Sequence, residues 1–174
     1  LADTPLVLID NRLSGPPRNY VLQDNEGNSR RLTAHIISHG HANIGFVTGP
    51  LEESSSRERF LGFCNALEDA GAIYDESLVR TVDWEIHSGY EATKDLFDNK
   101  GNARPTAIIY GNTQLLLGGY KALREKDLLI PQDVAVASFE HPDIIDALTP
   151  CPTTLEKVEK RIGVAAAEML FSLI

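Results

Sequence analysis

Short, unbroken apolar runs, each followed by a stretch of helical spacing, constrain this chain more than any other feature. P-L-V-L-I at 5–9, I-G-F-V-T at 44–48, T-A-I-I-Y at 106–110 and the segment 133–139 read as strands covered on both faces. Residues 20–22, 78–84 and 153–155 are further extended candidates. Between them, apolar positions recur at helical spacing: Leu32 and Ile36, stopping at Gly40; Phe60, Phe63, Cys64 and Leu67, stopping at Gly71; Tyr90, Thr93, Leu96 and Phe97; Leu116, Tyr120 and Leu123; Val158, Ile162, Ala165, Met169 and Leu173. Residues 142–148 suggest a short helix, and 14–18 and 99–104 read as loops. This alternation predicts an α/β fold with a largely parallel sheet.

Local signals sharpen three helix starts. Asp24 or Asn25 is placed to cap the first helix, and Thr113 a later one. Ser55 and Glu58 have the spacing of a capping box, which puts Arg57 and Arg59 in a first helical turn, where the exposed N–H groups disfavour a cation by roughly 0.3–1 kcal/mol. Glu52 and Glu53 can offset Arg57. Arg59 has Ser55, Ser56, Gly62 and Phe63 at its helical neighbour positions, none of them acidic, and so is expected to find a partner elsewhere in the fold. Gly118 and Gly119 interrupt a helix pattern at about 1 kcal/mol each relative to alanine, which predicts close packing against another backbone.

At 174 residues the chain is about one domain long, and its 43% hydrophobic content is that of a globular protein. A net charge of −9 argues against a nucleic-acid-binding face in this stretch. No apolar run approaches the ~20 residues needed to span a membrane, and no membrane partner is expected. Cys64 and Cys151 form neither a disulfide framework nor a zinc site and read as reduced thiols. His39 and His41 lack a clear third ligand, so no metal is expected; His87 reads as a helix-start residue. The chain opens at Leu1 almost directly into an apolar strand, which suggests a piece of a longer protein.

In open α/β sheets, ligands bind beyond the carboxyl ends of the strands, near the point where strand order reverses. The residues expected there are Asp10, Arg59, Trp84, Asn112 and Glu140. Two carboxylates, a planar fork of donors, an amide and an indole suit a small polyhydroxylated molecule: the polar groups pair with neighbouring hydroxyls, and the indole stacks on an apolar ring face. Each residue also has a plainer role, as cap, core or solvated surface. Nucleophile elbow, P-loop and dinucleotide fingerprint are all missing, so catalytic residues and cofactors are not expected.

Eight ordered motifs give the chain a resemblance. V-L-I-D at 7–10, Asp24-Asn25, G-H-x-x-I-G-F-V-T-G-P at 40–50, R-x-x-G-F at 59–63, S-G-Y-x-A at 88–92, R-P-T-A-I at 104–108, I-P-x-D-V-A-V at 130–136 and T-P-x-P-T-T-L at 149–155 resemble the LacI/GalR family of bacterial transcription regulators. The resemblance implies a cytoplasmic protein with a two-lobed effector-binding domain of periplasmic-binding-protein type, preceded by a helix-turn-helix domain. On that layout residues 1–22 are a remnant of the N-terminal lobe, 23–152 the C-terminal effector-binding lobe, and 153–174 a return segment and helix of the N-terminal lobe. The implied partners are a sugar or sugar-like effector, a second copy of the chain, and operator DNA contacted only through an N-terminal domain outside this chain. Asp10, Arg59, Trp84, Asn112 and Glu140 fall on the family's ligand positions. The homodimer is expected to form through the C-terminal lobe, using the Gly118-Gly119 helix and the 142–148 segment.

Two departures stand out: family members usually carry aspartate where Glu140 stands, and an Asn-Asp pair where this chain has Asn112-Thr113. The longer glutamate is expected to narrow or reshape the pocket. The alternative is a periplasmic or secreted sugar-binding protein of a transporter, which shares the fold; upstream sequence distinguishes a signal peptide from a helix-turn-helix.

Overall fold

The computed structural model describes residues 4–13, 15, 19–98, 104–140, 143–155 and 158–174. Among them the order is β1 (Val7–Ile9), β2 (Asn19–Val21), α1 (Asn25–Ser38), β3 (Ile44–Thr48), α2 (Ser54–Asp69), β4 (Val79–Thr81), α3 (Ile86–Asp98), β5 (Ala107–Tyr110), α4 (Thr113–Glu125), β6 (Ala135–Ser138), β7 (Thr153–Thr154) and α5 (Glu159–Phe171). Single 3-10 turns occupy Glu76–Leu78 and Asp143–Ala147. The expected loop positions 14, 16–18 and 99–103, and residue 142 of the expected short helix, lie outside the described residues.

β3 and β5 are buried along their whole length because helices cover both faces of their sheet. Side chains alternate across a strand. Ile44 and Phe46 of β3, with Ala107 and Ile109 of β5, join Leu32, Ile36, Phe63 and Leu67 in one core beneath α1 and α2. Val47, Ile108 and Tyr110 point the other way, into a core with Ala92, Leu96, Leu115, Leu116 and Leu123 of α3 and α4. The result is a three-layer α/β/α body, the fold class the alternation predicts. Its sheet has the order β4-β3-β5-β6-β7, every pairing parallel. Strand order reverses around β3, whose successor β4 lies on one side and β5 on the other.

β1 and β2 form a separate parallel pair, with α5 packed on both strands. Residues 153–154 pair with β6 and so extend the larger sheet. On α5 the expected face is only partly covered: Ala166 is its buried residue, Ile162, Ala165 and Met169 are half-buried, and Leu173 beyond its end is exposed.

Several local expectations are corrected. α2 begins at Ser54 with Glu53 as N-cap, and no side-chain cap bond forms there. Asn11, from the β1 side of the molecule, supplies the cap: its Oδ1 accepts from the Ser55 amide at 3.1 Å and from Ser54 Oγ at 3.2 Å. Glu58 instead accepts from Asn25 Nδ2 at 3.4 Å and faces Arg12. A tertiary acceptor therefore replaces the local box, and Arg59 falls in the second turn, beyond most of the helix-end field. The extended segment at 78–84 contracts to β4, an edge strand, because the 3-10 turn takes up its start and Trp84 lies three residues past its end. β6 is likewise shorter than 133–139.

The expectation for Gly118 is met. A Cβ there would lie 2.0 Å from the Ile86 carbonyl oxygen and 2.6 Å from the Tyr90 nitrogen, both backbone atoms of the α3 region. Gly119 meets the Tyr110 hydroxyl group instead of a backbone. Both glycines are thus taken up inside the body, leaving Leu117, Lys121 and Arg124 on the outer side of α4 beside residues 147–150.

Candidate functional site

The strand-end residues converge. Asp10, Arg59, Trp84, Asn112 and Glu140 line one cleft of about 200 Å3 at the carboxyl ends of the large sheet, together with Asn11, Glu53 and Ser55.

Asp10 reaches the cleft through an unusual backbone. Its φ is +71°, and the Asn11 amide donates back to the Ile9 carbonyl at 2.9 Å, the hydrogen bond of a γ-turn centred on Asp10. A non-glycine residue held at such a φ costs on the order of 1–3 kcal/mol and persists only where its surroundings impose it. Here the Asp10 amide donates to Val21 and its Oδ1 accepts from Gln23 Nε2, so β2 and the residues after it hold the turn.

Arg59 has the partners its own helix lacks. The side chain is 4% exposed; Nε donates to Asn25 Oδ1 at 2.9 Å, Nη1 donates to the Gly111 carbonyl at 2.6 Å, and the guanidinium carbon lies 5.0 Å from the centre of the Phe139 ring. Burial pulls its pKa below the ordinary value, opposed in turn by Asp10, Glu140, Glu53 and Glu58. An arginine stays charged regardless. Its charge is therefore held by two neutral oxygens and a ring face, with carboxylates arranged farther out. Arg57 is exposed and donates to the Leu51 and Glu52 carbonyls, so backbone oxygens replace the expected glutamate carboxylates.

Trp84 stands over two glycines. A Cβ on Gly49 would lie 2.1 Å from the indole, and one on Gly111 3.0 Å from it, so glycine after β3 and after β5 is what lets the ring approach these loops closely. Its Nε1 donates to Glu53 Oε2 at 2.9 Å. Asn112, not Thr113, is the N-cap of α4: its Oδ1 accepts from the Leu115 amide at 2.8 Å, which leaves the amide NH2 as the group it can offer the cleft. Thr113 is otherwise used. Its amide and hydroxyl donate to Glu140 Oε2 at 2.9 and 2.8 Å, so the two positions that depart from the family pattern are bonded to each other.

Sequence reasoning passed over Asn11, Glu53 and Ser55 as cleft residues, and Asn25 as the Arg59 partner. Asn11 carried no local signal, since its role depends on bringing β1 beside α2. Glu53 was legible only as a possible partner of Arg57, and Ser55 only as a cap. His39, exposed, has its Nδ1 2.9 Å from the His35 carbonyl, and half-buried His41 has its Nδ1 3.0 Å from Thr106 Oγ1.

The sequence pattern of one family, the periplasmic binding protein-like domain, matches residues 33–174. The chain belongs to that family. This periplasmic binding protein-like domain is 31% identical to the ribose operon repressor of Escherichia coli K12 over 142 residues, 82% of the chain and 42% of the repressor. It is also 31% identical to the HTH-type transcriptional repressor PurR of Edwardsiella ictaluri over 171 residues, 98% of the chain and 50% of that protein. The crystal structure of a LacI transcriptional regulator from Bacillus cereus subsp. cytotoxis NVH 391-98 superposes with a TM-score of 0.89 at 28% identity, covering 97% of this chain and 59% of that one. The resemblance to LacI-type regulators read from the motifs therefore holds, and the chain spans about half the length of the curated relatives it matches.

Proposed function

We propose that this domain is the effector-sensing and dimerising part of a bacterial transcriptional regulator, and that the cleft lined by Asp10, Arg59, Trp84, Asn112 and Glu140 takes a sugar or sugar-like molecule. The observation carrying this reading is the convergence of those side chains on one cleft at the strand-order reversal of a regulator-family domain. Paired acceptors, a buried guanidinium and a side-chain amide match vicinal hydroxyls, and the Trp84 face matches the apolar face of a ring. The ribose operon repressor among the relatives supports a sugar-linked role, and the repressor names support regulation over transport or catalysis.

Effector bound between this body and the β1–β2–α5 unit would favour one arrangement of the two over another. The coupling expected of such a switch is about 1–3 kcal/mol, exerted on operator DNA through a helix-turn-helix domain outside this chain. Dimerisation would use the outer side of α4 and the 147–150 loop. Titrating the intact regulator with sugars while operator affinity is followed tests the reading; a tight cleft binder that leaves operator affinity unchanged overturns it. Sedimentation of the intact protein as a monomer overturns the dimer.

A further inference from the structure

Taking the cleft as a polyol site, we infer that its effector carries a positive charge, an amino group borne beside the hydroxyls, and that Glu53 receives it. The first observation is the charge of the lining. Asp10, Glu53 and Glu140 face one guanidinium, Arg59, a formal excess of two negative charges in a cleft of about 200 Å3. Neighbouring cations do not correct this. Arg12 is turned to Glu58 at 3.7 Å, and Arg57 is tied to the Leu51 and Glu52 carbonyls.

The second observation concerns helix ends. The N-termini of α2 and α4 both open toward the cleft, and free amides at such ends are ready-made anion sites. In this domain the protein's own acceptors already take up part of each. Asn11 Oδ1 takes the Ser55 amide, Asn112 Oδ1 takes the Leu115 amide, and Glu140 Oε2 takes both donors of Thr113. A phosphate or carboxylate entering here would meet carboxylates where it needs donors.

The third observation singles out Glu53. Its Oε2 accepts the Trp84 indole N–H at 2.9 Å, and among the described residues no hydrogen bond engages its other carboxylate oxygen. That bond also fixes the carboxylate at the edge of the indole. An ammonium group at this corner would gain a charge-assisted hydrogen bond from Glu53. Asp10 and Glu140 likewise have one oxygen bonded, by Gln23 and by Thr113, so what sets Glu53 apart is that its bonded oxygen is tied to the Trp84 indole in the cleft wall.

Thermal-shift and calorimetric titration of the intact regulator with matched neutral sugars, their amino-deoxy counterparts and their phosphates tests this. The amino sugar of the best-binding pair should bind about tenfold or more tighter than its neutral counterpart, the difference expected for a charge-assisted hydrogen bond, and the phosphates should not bind. Glu53→Gln keeps an oxygen for the Trp84 N–H, so the wall stays in place while the charge is removed; it should bring the amino and neutral sugars to within about twofold of each other. Equal affinity for amino and neutral sugars in the wild-type protein, a phosphate as the tightest binder, or a preference unchanged in Glu53→Gln would overturn the inference and leave the polyol reading standing. Absence of binding by every sugar, whatever its charge, would overturn both.

Discussion

The three-layer body and the β1–β2–α5 unit contribute to one cleft from very different footings. In the body, β3 and β5 are buried end to end between two pairs of packed helices. In the small unit, β1 runs from half-buried to exposed at Ile9, and Phe171 at the end of α5 is 77% exposed. A two-stranded sheet has little independent stability in water. The cleft takes Glu53, Ser55, Arg59, Trp84, Asn112 and Glu140 from the rigid side, but Asp10 and Asn11 from the marginal one. Such an asymmetry suits a sensor: one wall is pre-organised, and the other can be drawn in when ligand completes its contacts.

Core truncation should expose this asymmetry most strongly. Phe46 is fully buried, stacked on Phe63 at 4.6 Å and edge-on to Phe139, so Phe46→Ala should cost about 3–5 kcal/mol in chemical denaturation. Leu8→Ala in half-buried β1 should cost nearer ~1 kcal/mol. Equal losses would show that the two units share one level of stability. Hydrogen exchange gives the same test without mutation: amides of β3 and β5 should open only globally, and those of β1, β2 and α5 by local opening.

Within the rigid wall, Arg59→Ala leaves the Gly111 carbonyl and Asn25 without their donor, and should cost about 2–3 kcal/mol of stability as well as abolishing sugar binding. Arg57→Ala should stay within ~0.5 kcal/mol and leave binding intact, as measured by urea titration and calorimetry. Asn112→Ala should lose about 1 kcal/mol with the helix cap, whereas Asn112→Ser restores the cap but not the amide donor. Recovery of stability without recovery of sugar affinity would separate the two roles; recovery of both would reduce Asn112 to a cap. The smallest effect concerns the thiols. Burial pushes the Cys64 thiol up, so its reactive thiolate appears only at higher pH than for an ordinary cysteine, and exposed Cys151 should alkylate first near neutrality.

Much of the body was legible because its signals are local and repeated. The run at 44–48 is β3 residue for residue, and the stops at Gly40 and Gly71 fall where the chain turns to φ of +87° and +74°. Helix caps were less legible. Ser55–Glu58 and Thr113 satisfy the same spacing rules as true caps, yet Asn11 and Asn112 hold those ends. A spacing rule names the groups able to bond, and the tertiary neighbourhood chooses among them.

The sequence by itself determined that strands and helices alternate, which residues stand just beyond the strands, and that Arg59 has no partner on its own helix. Those properties follow from periodicity and spacing along the chain, which need no knowledge of what packs against what. Only the tertiary structure decided that Asn25 and Gly111 hold Arg59, that Glu140 and Thr113 are bonded to each other, and that Glu53 fixes Trp84 over two glycines. Each of those contacts joins residues 27 to 52 positions apart, a separation at which sheet order and helix packing, not local spacing, set what meets.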